Sequence, residues 1–427
     1  MKKLFLCNLG CSKNFVDGDT IAGFLVQNGF EITQDSTEAS AIIVNTCSFI
    51  EQATQEAIDT ILEYAPQKSN GCKLIVSGCF SQRYKEKVAK DFPEVDLWLS
   101  TQNWHEELNN FYNFQGLTKK FQRILSKPKH TQYIKISDGC SHNCSFCVIP
   151  NIKGGFKSDS LEKIVNEAIW LEKQGVKELI IVSQDTSFYG RDIGTNLVNL
   201  LKMLLDKTNF RWIRMMYLYP NFVDGEFLDF VAKNPRICPY FDIPLQHISD
   251  EILKLMNRKT KSADLYKLIE KIREKVLNAT IRTTFIIGYP NEKLKNFREL
   301  CEFVRWAKFD KLGVFPYSPE EGTKAAKFVN RPANGTTQKR ISEIMEIQRE
   351  ISRKKQETKI GRKIEVIVDC ISEFPEYNFE CRSIGDAPEV DGRVFLLDGD
   401  AAAGDFLEVE ITDNDDYDLF AKFVKKL

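Results

Sequence analysis

The first third of the chain alternates short apolar runs with stretches of helical periodicity. Continuous runs of Leu, Ile and Val at residues 4–8, 41–45 and 73–77 predict strands that are buried on both faces. Between the second and third runs, apolar residues recur at helical spacing over residues 49–64. This strand–helix–strand alternation predicts an α/β domain, with a parallel sheet covered by helices, over residues 1–120.

A polar, lysine-rich stretch at about residues 118–129 predicts a linker, after which the same rhythm resumes. The clearest helix covers residues 161–174 and is stopped by Gly175. Helical segments of this kind separate six candidate strands, at residues 133–137, 178–183, 212–218, 240–244, 280–287 and 312–316. Six strand–helix units predict a partial (β/α)6 barrel over residues 130–336.

The last part of the chain changes pattern twice. Residues 337–359 are highly charged with a narrow apolar stripe, which predicts a helical connector. From residue 360 onward, short alternating segments at 363–369, 393–397 and 406–412 lie between glycine and aspartate turns. So many short strands in so few residues predict a small antiparallel β-barrel over residues 360–427.

Composition narrows the setting. The 427-residue chain has 43% hydrophobic residues and a net charge of −1, which argues against a disordered chain and a general polyanion binder. No apolar stretch approaches the roughly 18 residues of a membrane span, and the apolar N-terminal run is too short for a signal peptide. We therefore expect a cytoplasmic protein without membrane contact, in which twelve cysteines indicate metal or redox chemistry rather than disulfides.

Three of these cysteines lie within eight residues, directly after the first predicted barrel strand: Cys140, Cys144 and Cys147, here termed the barrel triad. Thiolates are the preferred protein ligands of iron–sulfur clusters, and three of them leave one iron of a four-iron cube open. An open coordination position is typical of a catalytic metal site. The spacing resembles the signature of radical S-adenosylmethionine enzymes; the alternative is a zinc site completed by His142 or a distant cysteine.

Polar residues and a glycine follow other predicted barrel strands, and barrel enzymes place their chemistry at the carboxyl ends of strands. We expect these residues to contact the amino, ribose and adenine parts of a nucleoside ligand. The alternative is that they are ordinary loop residues. The expected ligand contacts are Asp185, Gln246, His247 and Gly288.

A second set of cysteines is dispersed along the chain. Cys11, Cys47 and Cys79, here termed the sheet triad, each follow one of the three predicted N-terminal strands. Ligands of an open parallel sheet bind at the carboxyl ends of its strands, so we expect these cysteines to converge on a second cluster with one open iron. The alternative is three unrelated buried cysteines. The other six cysteines (positions 7, 72, 238, 301, 370 and 381) are interpreted as structural, and His105 and His130 as surface residues.

The C-terminal region is strongly acidic. Residues 360–427 contain seven Lys or Arg against seventeen Asp or Glu. A nucleic-acid surface needs positive charge, whereas an acidic surface attracts a basic protein. The alternative is a solvated acidic surface without a partner. The residues expected to form an acidic face are Glu389, Asp391, Asp398, Asp400 and Asp405.

These motifs resemble the methylthiotransferase family of radical S-adenosylmethionine enzymes over the whole chain. Besides the two triads, the similarity is carried by LGCSKN at residues 9–14, SQDTS at 183–187, PLQHISD at 244–250 and DAPEVDG at 386–392. The resemblance is closest to the branch of the family that modifies an aspartate of a small-subunit ribosomal protein. The C-terminal barrel is similar to the TRAM domain of that family.

The resemblance implies two [4Fe-4S] clusters and S-adenosylmethionine as cofactors. The barrel triad would hold the cluster that binds and cleaves S-adenosylmethionine, and the sheet triad would hold an auxiliary cluster that carries the inserted sulfur. The chain departs from the family pattern at Gly18-Asp19, where Ser-Glu is usual, and at Lys153 and Asp159, where arginines are usual.

We therefore predict a cytoplasmic transferase that adds a methylthio group to the β-carbon of an aspartate in a basic small-subunit ribosomal protein. Such an enzyme needs an external electron donor, and a contact with the ribosome is expected. A tRNA adenosine methylthiotransferase is the alternative within the family, which the acidic C-terminal region disfavours. From other classes, a non-catalytic iron–sulfur electron carrier and a zinc-held scaffold stay open, although a barrel with polar strand ends is more than a carrier requires.

Overall fold

The structure is a computed structural model that describes residues 2–114, 123–125 and 128–427. The predicted linker at residues 118–129 lies largely outside the described residues. The described chain forms an N-terminal sheet, a central arc of parallel strands and a small C-terminal barrel, in this order. The predicted fold class is confirmed in all three parts. None of the described helices is both long and apolar enough to cross a membrane.

The N-terminal sheet has five parallel strands, including the three predicted from the sequence. The other two are only three and two residues long and lie at the sheet edges, where an apolar run is too short to stand out. In pairing order, the strands are β2 (Phe30–Ile32), β1 (Lys2–Asn8), β3 (Ala41–Thr46), β4 (Lys73–Ser77) and β5 (Leu97–Trp98). The connecting helices are α1 (Ser12–Gln27), α2 (Glu51–Tyr64), α3 (Gly78–Val88) and α4 (Trp104–Tyr112).

The three inner strands of this sheet end level with one another. Asn8 pairs with Asn45, and Asn45 pairs with Ser77, at the carboxyl ends of β1, β3 and β4. Their side chains are also hydrogen-bonded, since Asn45 donates to Asn8 over 2.9 Å and Ser77 donates to Asn45 over 3.0 Å. This register brings the segments that follow the three strands to the same edge of the sheet.

The central part contains the six parallel strands that the sequence predicts, arranged as two three-stranded sheets. A backbone bridge between Ile213 and Ile237 joins the two sheets into one arc. The first sheet consists of β6 (Thr131–Lys135), β9 (Glu178–Val182) and β10 (Trp212–Met215), and the second of β11 (Tyr240–Asp242), β12 (Thr280–Ile287) and β13 (Lys311–Pro316). Beside the arc, β7 (Ser137–Asp138) pairs antiparallel with β8 (Lys157–Ser158).

Helices cover the outside of the arc and bury its apolar side chains in the largest core of the protein. Ile181, Ile213 and Phe285 of the strands are fully buried there. The helices are α5 (Ile149–Lys153), α6 (Leu161–Lys173), α7 (Leu197–Lys207), α8 (Gly225–Lys233), α9 (Asp250–Leu255), α10 (Ser262–Lys275) and α11 (Leu294–Ala307). Short 3-10 turns occupy Ser36–Glu38, Ala65–Asn70, Thr186–Phe188, Pro220–Phe222 and Ala325–Lys327.

Helix α12 (Asn334–Glu357) leads into a closed five-stranded barrel. Four pairings of this barrel are antiparallel, as expected, and the pairing of β16 with β18 is parallel. Three of its five strands lie at the predicted segments. In pairing order, the strands are β14 (Lys363–Ile371), β15 (Phe379–Ser383), β16 (Val394–Leu396), β18 (Leu419–Lys426) and β17 (Phe406–Asn414).

The C-terminal barrel packs directly against the central arc. Trp212 of the arc contacts Phe406 of the barrel, with ring centroids 4.9 Å apart. Glu178 at the start of β9 accepts hydrogen bonds from Arg214 over 2.8 Å and from Arg382 of the barrel over 2.7 Å. All three charged groups are buried, so removal of any one of them would leave an uncompensated charge in the interior. The ion pair between Glu178 and Arg382 therefore fixes the position of the barrel on the arc.

The predicted acidic face is wrong for two of its five members. The Asp391 side chain is 1% exposed and accepts a 2.6 Å hydrogen bond from the Tyr240 hydroxyl, so it belongs to the contact between barrel and arc. Asp405 is 13% exposed and pairs with Lys426 over 2.6 Å. The prediction failed because both carboxylates have partners that are distant in sequence, namely the Tyr240 hydroxyl for Asp391 and the Lys426 ammonium for Asp405. The members that lie at the surface are Glu389, Asp398 and Asp400.

Two histidines and a cysteine also differ from expectation. His130 is buried and its Nε2 lies 3.1 Å from Asp369, so it is not a surface residue. His105 is partly buried against Phe24, with ring centroids 4.5 Å apart. Cys370 is exposed, so it has no structural role in a core. The cysteines found buried, as a structural role requires, are Cys72, Cys238, Cys301 and Cys381.

Candidate active site

The sheet triad lies at the level edge of the N-terminal sheet. Cys11 is the N-cap of α1, Cys47 directly follows β3, and Cys79 is the second residue of α3. Two of the three cysteines therefore stand at helix N-termini, where the helix dipole favours a thiolate. Cys79 is within electrostatic reach of both Cys47 and Cys11. The structure thus brings together cysteines that are 36 and 32 residues apart in sequence.

Glycines make this close approach possible. Gly10 has φ +86°, and a Cβ atom there would lie 2.4 Å from the Cβ of Cys47. Gly78 has φ +87°, and a Cβ atom there would lie 2.3 Å from the carbonyl oxygen of Thr46. A side chain at either glycine would push the neighbouring cysteine away from the segment that carries Cys47, so glycine is required at both positions.

The barrel triad occupies the loop between β7 and α5, near the carboxyl end of β6. The Cys140 N–H donates to the carbonyl of Gly154 over 3.1 Å, and the Cys147 N–H donates to the carbonyl of Cys144 over 3.1 Å. Cys147 is within electrostatic reach of both other cysteines of the triad. Arg258 places its Nη1 atom 3.8 Å from the Cys144 sulfur, which brings a positive charge to the loop.

The two triads lie side by side, separated by the five-residue helix α5. Cys79 packs against Val148, which directly follows the last cysteine of the barrel triad, and against Ile152 of α5. Lys153, the last residue of α5, interacts electrostatically with the Cys79 thiol. The triads are therefore parts of one site rather than two remote ones.

Two lysines and two aspartates tie together the segments that carry the triads. Asp17 of α1 forms ion pairs with Lys135 and, over 2.9 Å, with Lys153. Asp138, two residues before Cys140, lies 3.2 and 3.9 Å from the same two ammonium groups. Burial alone would raise the pKa of Asp17, but the two lysines outweigh it and lower the pKa to about 2. The Asp17 carboxyl is therefore ionised at neutral pH.

Burial raises the pKa of several triad thiols. The pKa rises to about 11 for Cys140 and to about 12 for Cys147 and Cys79, with Arg258 or Lys153 only partly opposing the effect. Thiols with such pKa values are protonated at neutral pH, so binding of iron must release protons from them. The cations beside both triads suit the negative charge of a thiolate-bound cluster.

Among the described residues, no three Cys, His, Asp or Glu side chains converge on one point as the ligands of a single metal ion would. A four-iron cube has a different requirement, because each iron takes its own thiolate and the thiols stand around the cube. Each triad supplies three neighbouring thiols, which fit the cube in kind and in number.

Lys13 and Tyr217 connect the sheet triad to the strand ends of the arc. The Lys13 ammonium lies 3.3 Å from the centroid of the Tyr217 ring, and the Ser12 hydroxyl lies 3.5 Å from the Tyr217 hydroxyl. Tyr217 follows β10 with φ +62°, and its N–H donates to Asp242 over 2.9 Å. Burial would lower the pKa of Lys13, but Tyr217, Cys11 and Asp242 outweigh it and raise the pKa. A non-glycine residue held at positive φ is frequent at functional sites.

Asp185, which was expected to contact the ligand, is buried, and its carboxylate is hydrogen-bonded to other residues of the protein. Its carboxylate accepts hydrogen bonds from the Ser187 hydroxyl over 2.6 Å and from the Phe188 N–H over 3.1 Å. It also lies 2.5 Å from Nε2 of His142, which belongs to the barrel-triad loop. The His142 ring stacks on Tyr219 with centroids 3.9 Å apart. Asp185 therefore positions the cysteine loop through His142.

His247 and Gly288 also have contacts within the protein. His247 is fully buried, and its Nδ1 accepts the N–H groups of the next two residues over 2.9 and 3.0 Å. Burial and Arg340 lower the pKa of His247 to about 3, so its ring is neutral. Gly288 has φ +78°, and a Cβ atom there would lie 2.5 Å from the Thr337 hydroxyl oxygen of α12. Both residues thus hold the framework at the strand ends.

Several buried polar atoms at the strand ends have no hydrogen-bond partner among the described residues. Unpaired buried polar groups are costly, and the amino, carboxylate and nucleoside groups of S-adenosylmethionine would supply partners for them. Gln246 lies among them, half-buried, with φ +72° and a backbone bridge to Phe285. The residues present therefore fit this cofactor. The unpartnered atoms are Oε1 of Gln184, Nε2 of His247, Nε of Arg258 and the hydroxyl oxygen of Tyr317.

The departures from the family pattern have different surroundings. A Cβ atom at Gly18 would lie 1.9 Å from Oδ1 of Asn8 and 2.7 Å from Nδ2 of Asn45, so serine does not fit unless this asparagine pair moves. Lys153 belongs to the ionic network beside the triads. Asp159 is partly exposed and pairs with a lysine one helical turn away over 2.8 Å. Two of the three positions therefore touch the site.

Comparison with known proteins agrees with this geometry. Residues 3–100 match the uncharacterized protein family UPF0004, residues 134–304 the radical SAM superfamily, and residues 360–424 the TRAM domain. The chain is 45% identical to the ribosomal protein uS12 methylthiotransferase RimO of Aquifex aeolicus, over 100% of this chain and 98% of that protein. The chain belongs to the RimO methylthiotransferase family. A RimO of Pelobacter propionicus is 40% identical over 100% of this chain and 98% of its own length.

A solved structure supports the fold alone. The radical S-adenosylmethionine methyltransferase TsrM of Kitasatospora setae, with cobalamin and a [4Fe-4S] cluster bound, has a TM-score of 0.55 and 14% identity over 76% of this chain and 77% of its own. Membership of the RimO family within the radical SAM superfamily makes the chain a transferase that uses an iron–sulfur cluster and S-adenosylmethionine. The hypotheses of a non-catalytic electron carrier and of a zinc-held scaffold are therefore wrong.

Proposed function

We propose that this protein adds a methylthio group to the β-carbon of an aspartate in the small-subunit ribosomal protein uS12. The full-length relatives are named for methylthiotransferase action on uS12. The observation that carries the proposal is the placement of two cysteine triads side by side, with α5 between them and one ionic network joining them. A single triad would be enough to cleave S-adenosylmethionine, but it would leave no separate cluster to supply the sulfur that is inserted.

The proposal includes two [4Fe-4S] clusters, which the placement of the two triads supports. The barrel triad would hold the cluster that binds S-adenosylmethionine, because its loop stands at the strand ends where the unpartnered polar atoms lie. The sheet triad would hold the auxiliary cluster, which would supply the sulfur for insertion. Cys11 and Cys79 stand at helix N-termini, whose dipoles would stabilise the thiolates once iron has displaced the thiol protons that burial otherwise retains at Cys79.

The reaction must replace a hydrogen on a carbon with no acidic proton and no leaving group, so acid–base catalysis alone offers no route. The cluster and S-adenosylmethionine supply radical chemistry when they are bound. The chain orients and shields that chemistry. Asp185 fixes the cysteine loop through His142, and Arg258 places a positive charge 3.8 Å from the Cys144 sulfur. Of the four expected contacts, Gln246 and His247 are proposed to contact S-adenosylmethionine directly, whereas Asp185 and Gly288 are proposed to support the site through His142 and through the close approach of α12.

The proposal includes partners outside the chain. An external electron donor has to reduce the barrel-triad cluster before each cleavage. The substrate is a basic ribosomal protein, which the acidic C-terminal barrel attracts, and a contact with the ribosome follows if the protein is modified after assembly. The reaction belongs in the cytoplasm, where ribosomal proteins are made.

Separate removal of the two triads tests this function. Anaerobically reconstituted wild-type protein is expected to hold about eight irons per chain. Replacing the barrel triad with alanines should leave about four irons and abolish formation of 5′-deoxyadenosine. Replacing the sheet triad should also leave about four irons and preserve 5′-deoxyadenosine formation, while methylthiolation of uS12, read by mass spectrometry, is lost.

A matched triple variant controls for the loss of three thiols. Cys72, Cys301 and Cys370 lie in neither triad, so their replacement with alanine should keep the iron content and the modification of uS12. Continued methylthiolation by the sheet-triad variant would refute the auxiliary cluster. Modification of tRNA, with uS12 left unmodified by the wild type, would refute the protein substrate and favour the tRNA adenosine enzyme.

A further inference from the structure

Lys13 is a cation at the centre of the site with no carboxylate paired to it. Its ammonium lies over the Tyr217 ring, 3.3 Å from the centroid, and within the described part of the chain no Asp or Glu stands within ion-pair distance of it. The aromatic face holds a cation without neutralising its charge. A partly buried ammonium in this state has an unused capacity for a negative ligand.

The neighbouring carboxylates are already engaged elsewhere. Asp242, the carboxylate whose charge Lys13 senses, accepts the Tyr217 N–H over 2.9 Å and pairs with Arg282 over 2.9 Å. Asp17, one helical turn along α1, is bound by Lys135 and Lys153. Lys13 therefore differs from Lys135 and Lys153, which both form ion pairs with Asp17 and Asp138.

The position of Lys13 matches the place where substrate and sulfur must meet. It stands two residues after Cys11 of the sheet triad, and its ring partner Tyr217 follows strand β10 of the arc. Tyr217 also reaches Ser12 with its hydroxyl. The ammonium thus lies between the segment of Cys11 and the carboxyl end of β10, which is the same end of the arc at which the barrel-triad loop follows β6 and β7.

We propose that Lys13 binds the side-chain carboxylate of the substrate aspartate and so places its β-carbon between the two clusters. This inference rests on the proposed function. The β-carbon is bonded directly to the carboxylate carbon, so an ion pair at the carboxylate fixes the reacting carbon to within one bond. An adenosine base carries no carboxylate, so the same contact selects a protein substrate against tRNA.

A double-mutant cycle between enzyme and substrate tests this contact. Holoenzyme with Lys13→Gln is compared with wild type for binding of uS12 and of uS12 whose target aspartate is replaced by asparagine. A charge-assisted hydrogen bond is worth about tenfold to a hundredfold in affinity, so each single change should weaken binding by at least about tenfold. The two changes together should cost little more than either alone, because they break the same contact.

Two further variants separate binding from structure. Lys13→Arg keeps the charge and should restore most of the discrimination between aspartate and asparagine. Lys202→Gln removes another lysine that lies over an aromatic ring, 5.9 Å from the Phe230 centroid and remote from the triads, and should change nothing. Iron content is measured for every variant, because loss of a substrate contact lowers affinity at full iron content, whereas a structural role of Lys13 at the sheet triad would lower the iron content itself.

Additive losses in the cycle would overturn the proposal, since independent contacts do not share an energy. A Lys13→Gln variant that loses auxiliary-cluster iron yet still prefers aspartate over asparagine would also overturn it, and would make Lys13 a residue of the cluster. Failure of the wild type to modify uS12 at all would instead strike the proposed function. The two failures are therefore distinguishable.

Discussion

Gly18 holds no side chain, and the space it leaves is filled by the polar ends of the inner strands. Asn8 occupies that space and accepts a 2.9 Å hydrogen bond from Asn45, which in turn accepts a 3.0 Å bond from Ser77. Asn8 and Ser77 end β1 and β4, and Asn45 is the last residue but one of β3; each of these strands precedes a cysteine of the sheet triad. The hydrogen bonds therefore keep the three cysteine-bearing segments level.

Replacing Gly18 with serine should disturb this edge. The new side chain would overlap Asn8, so the asparagine pair must break or the helix must shift, at a cost of about 1–3 kcal/mol in unfolding free energy. Iron retained by the sheet triad should fall while the barrel-triad cluster stays. Urea denaturation and iron analysis measure both effects. Gly335→Ser is the matched control, because nothing lies within 4 Å of a Cβ atom there; equal behaviour of the two variants would contradict the argument.

The cysteines could be located from sequence because few residue types hold an iron–sulfur cluster and each one followed a strand pattern. Lys13 and Asp17 could not. A charged side chain on an amphipathic helix looks solvent-facing until its partner is known, and Tyr217 and Lys153 lie more than a hundred residues away in sequence. Long-range pairing of charges leaves no local pattern.

At the scale of elements, α1 is joined to the central arc by charge as well as by packing. Asp17 binds lysines on β6 and α5, and those two elements flank the barrel-triad loop. Removing one partner of a partly buried network leaves the others uncompensated, which costs more than the pair itself contributes. Asp17 is therefore the residue on which the relative position of the two triads depends most.

Asp17→Asn should loosen this joint without removing a cluster ligand. We expect docking of the N-terminal sheet to lose about 3 kcal/mol or more, because two ammonium groups keep only Asp138. Formation of 5′-deoxyadenosine should continue while the yield of methylthiolated uS12 falls. The magnetic coupling between the two reduced clusters, measured by electron paramagnetic resonance, should weaken. Asp59→Asn changes an exposed aspartate of the same part of the chain and serves as control; unchanged coupling in Asp17→Asn would contradict the joint.

The elements themselves were predictable where apolar residues run without interruption. Strands Lys73–Ser77 and Thr280–Ile287 have the bounds that the sequence indicates. Strand Phe379–Ser383 was not predictable, because Glu380 and Arg382 are buried through ion pairs and read as polar in sequence. Arg382 is buried only because it pairs with Glu178, which is distant in sequence. Such a strand does not show the alternation of apolar and polar residues by which half-buried strands are predicted.

At the scale of the whole molecule, charge is unevenly divided. Residues 360–427 carry −10, so residues 1–359 carry +9 in a chain of net charge −1. Several acidic residues of the barrel form ion pairs within the protein and so contribute less negative charge to the surface. Examples are Asp391, which lies 3.6 Å from Arg282 of the arc, and Asp405, which lies 2.6 Å from Lys426. An acidic face that attracts a partner should therefore consist of exposed residues, rather than of Asp391 and Asp405. Residues of the barrel that meet this requirement are Glu373, Glu376 and Asp400.

Charge reversal at that face should slow capture of a basic ribosomal protein. Replacing Glu373, Glu376 and Asp400 with lysine should lower the association rate for uS12 about tenfold at low salt, where charges act over about 30 Å. The difference should shrink at physiological salt, where the screening length is about 8 Å, and the dissociation rate should change little because rim charges act mainly on encounter. Stopped-flow measurement across a salt series checks both rates. A matched control reverses Glu31, Glu86 and Asp91, which are exposed acids of the N-terminal part of the chain. It gives the same change in net charge and should slow the association of uS12 less. Equal slowing by both triple variants would show that net charge, rather than the barrel face, attracts the partner.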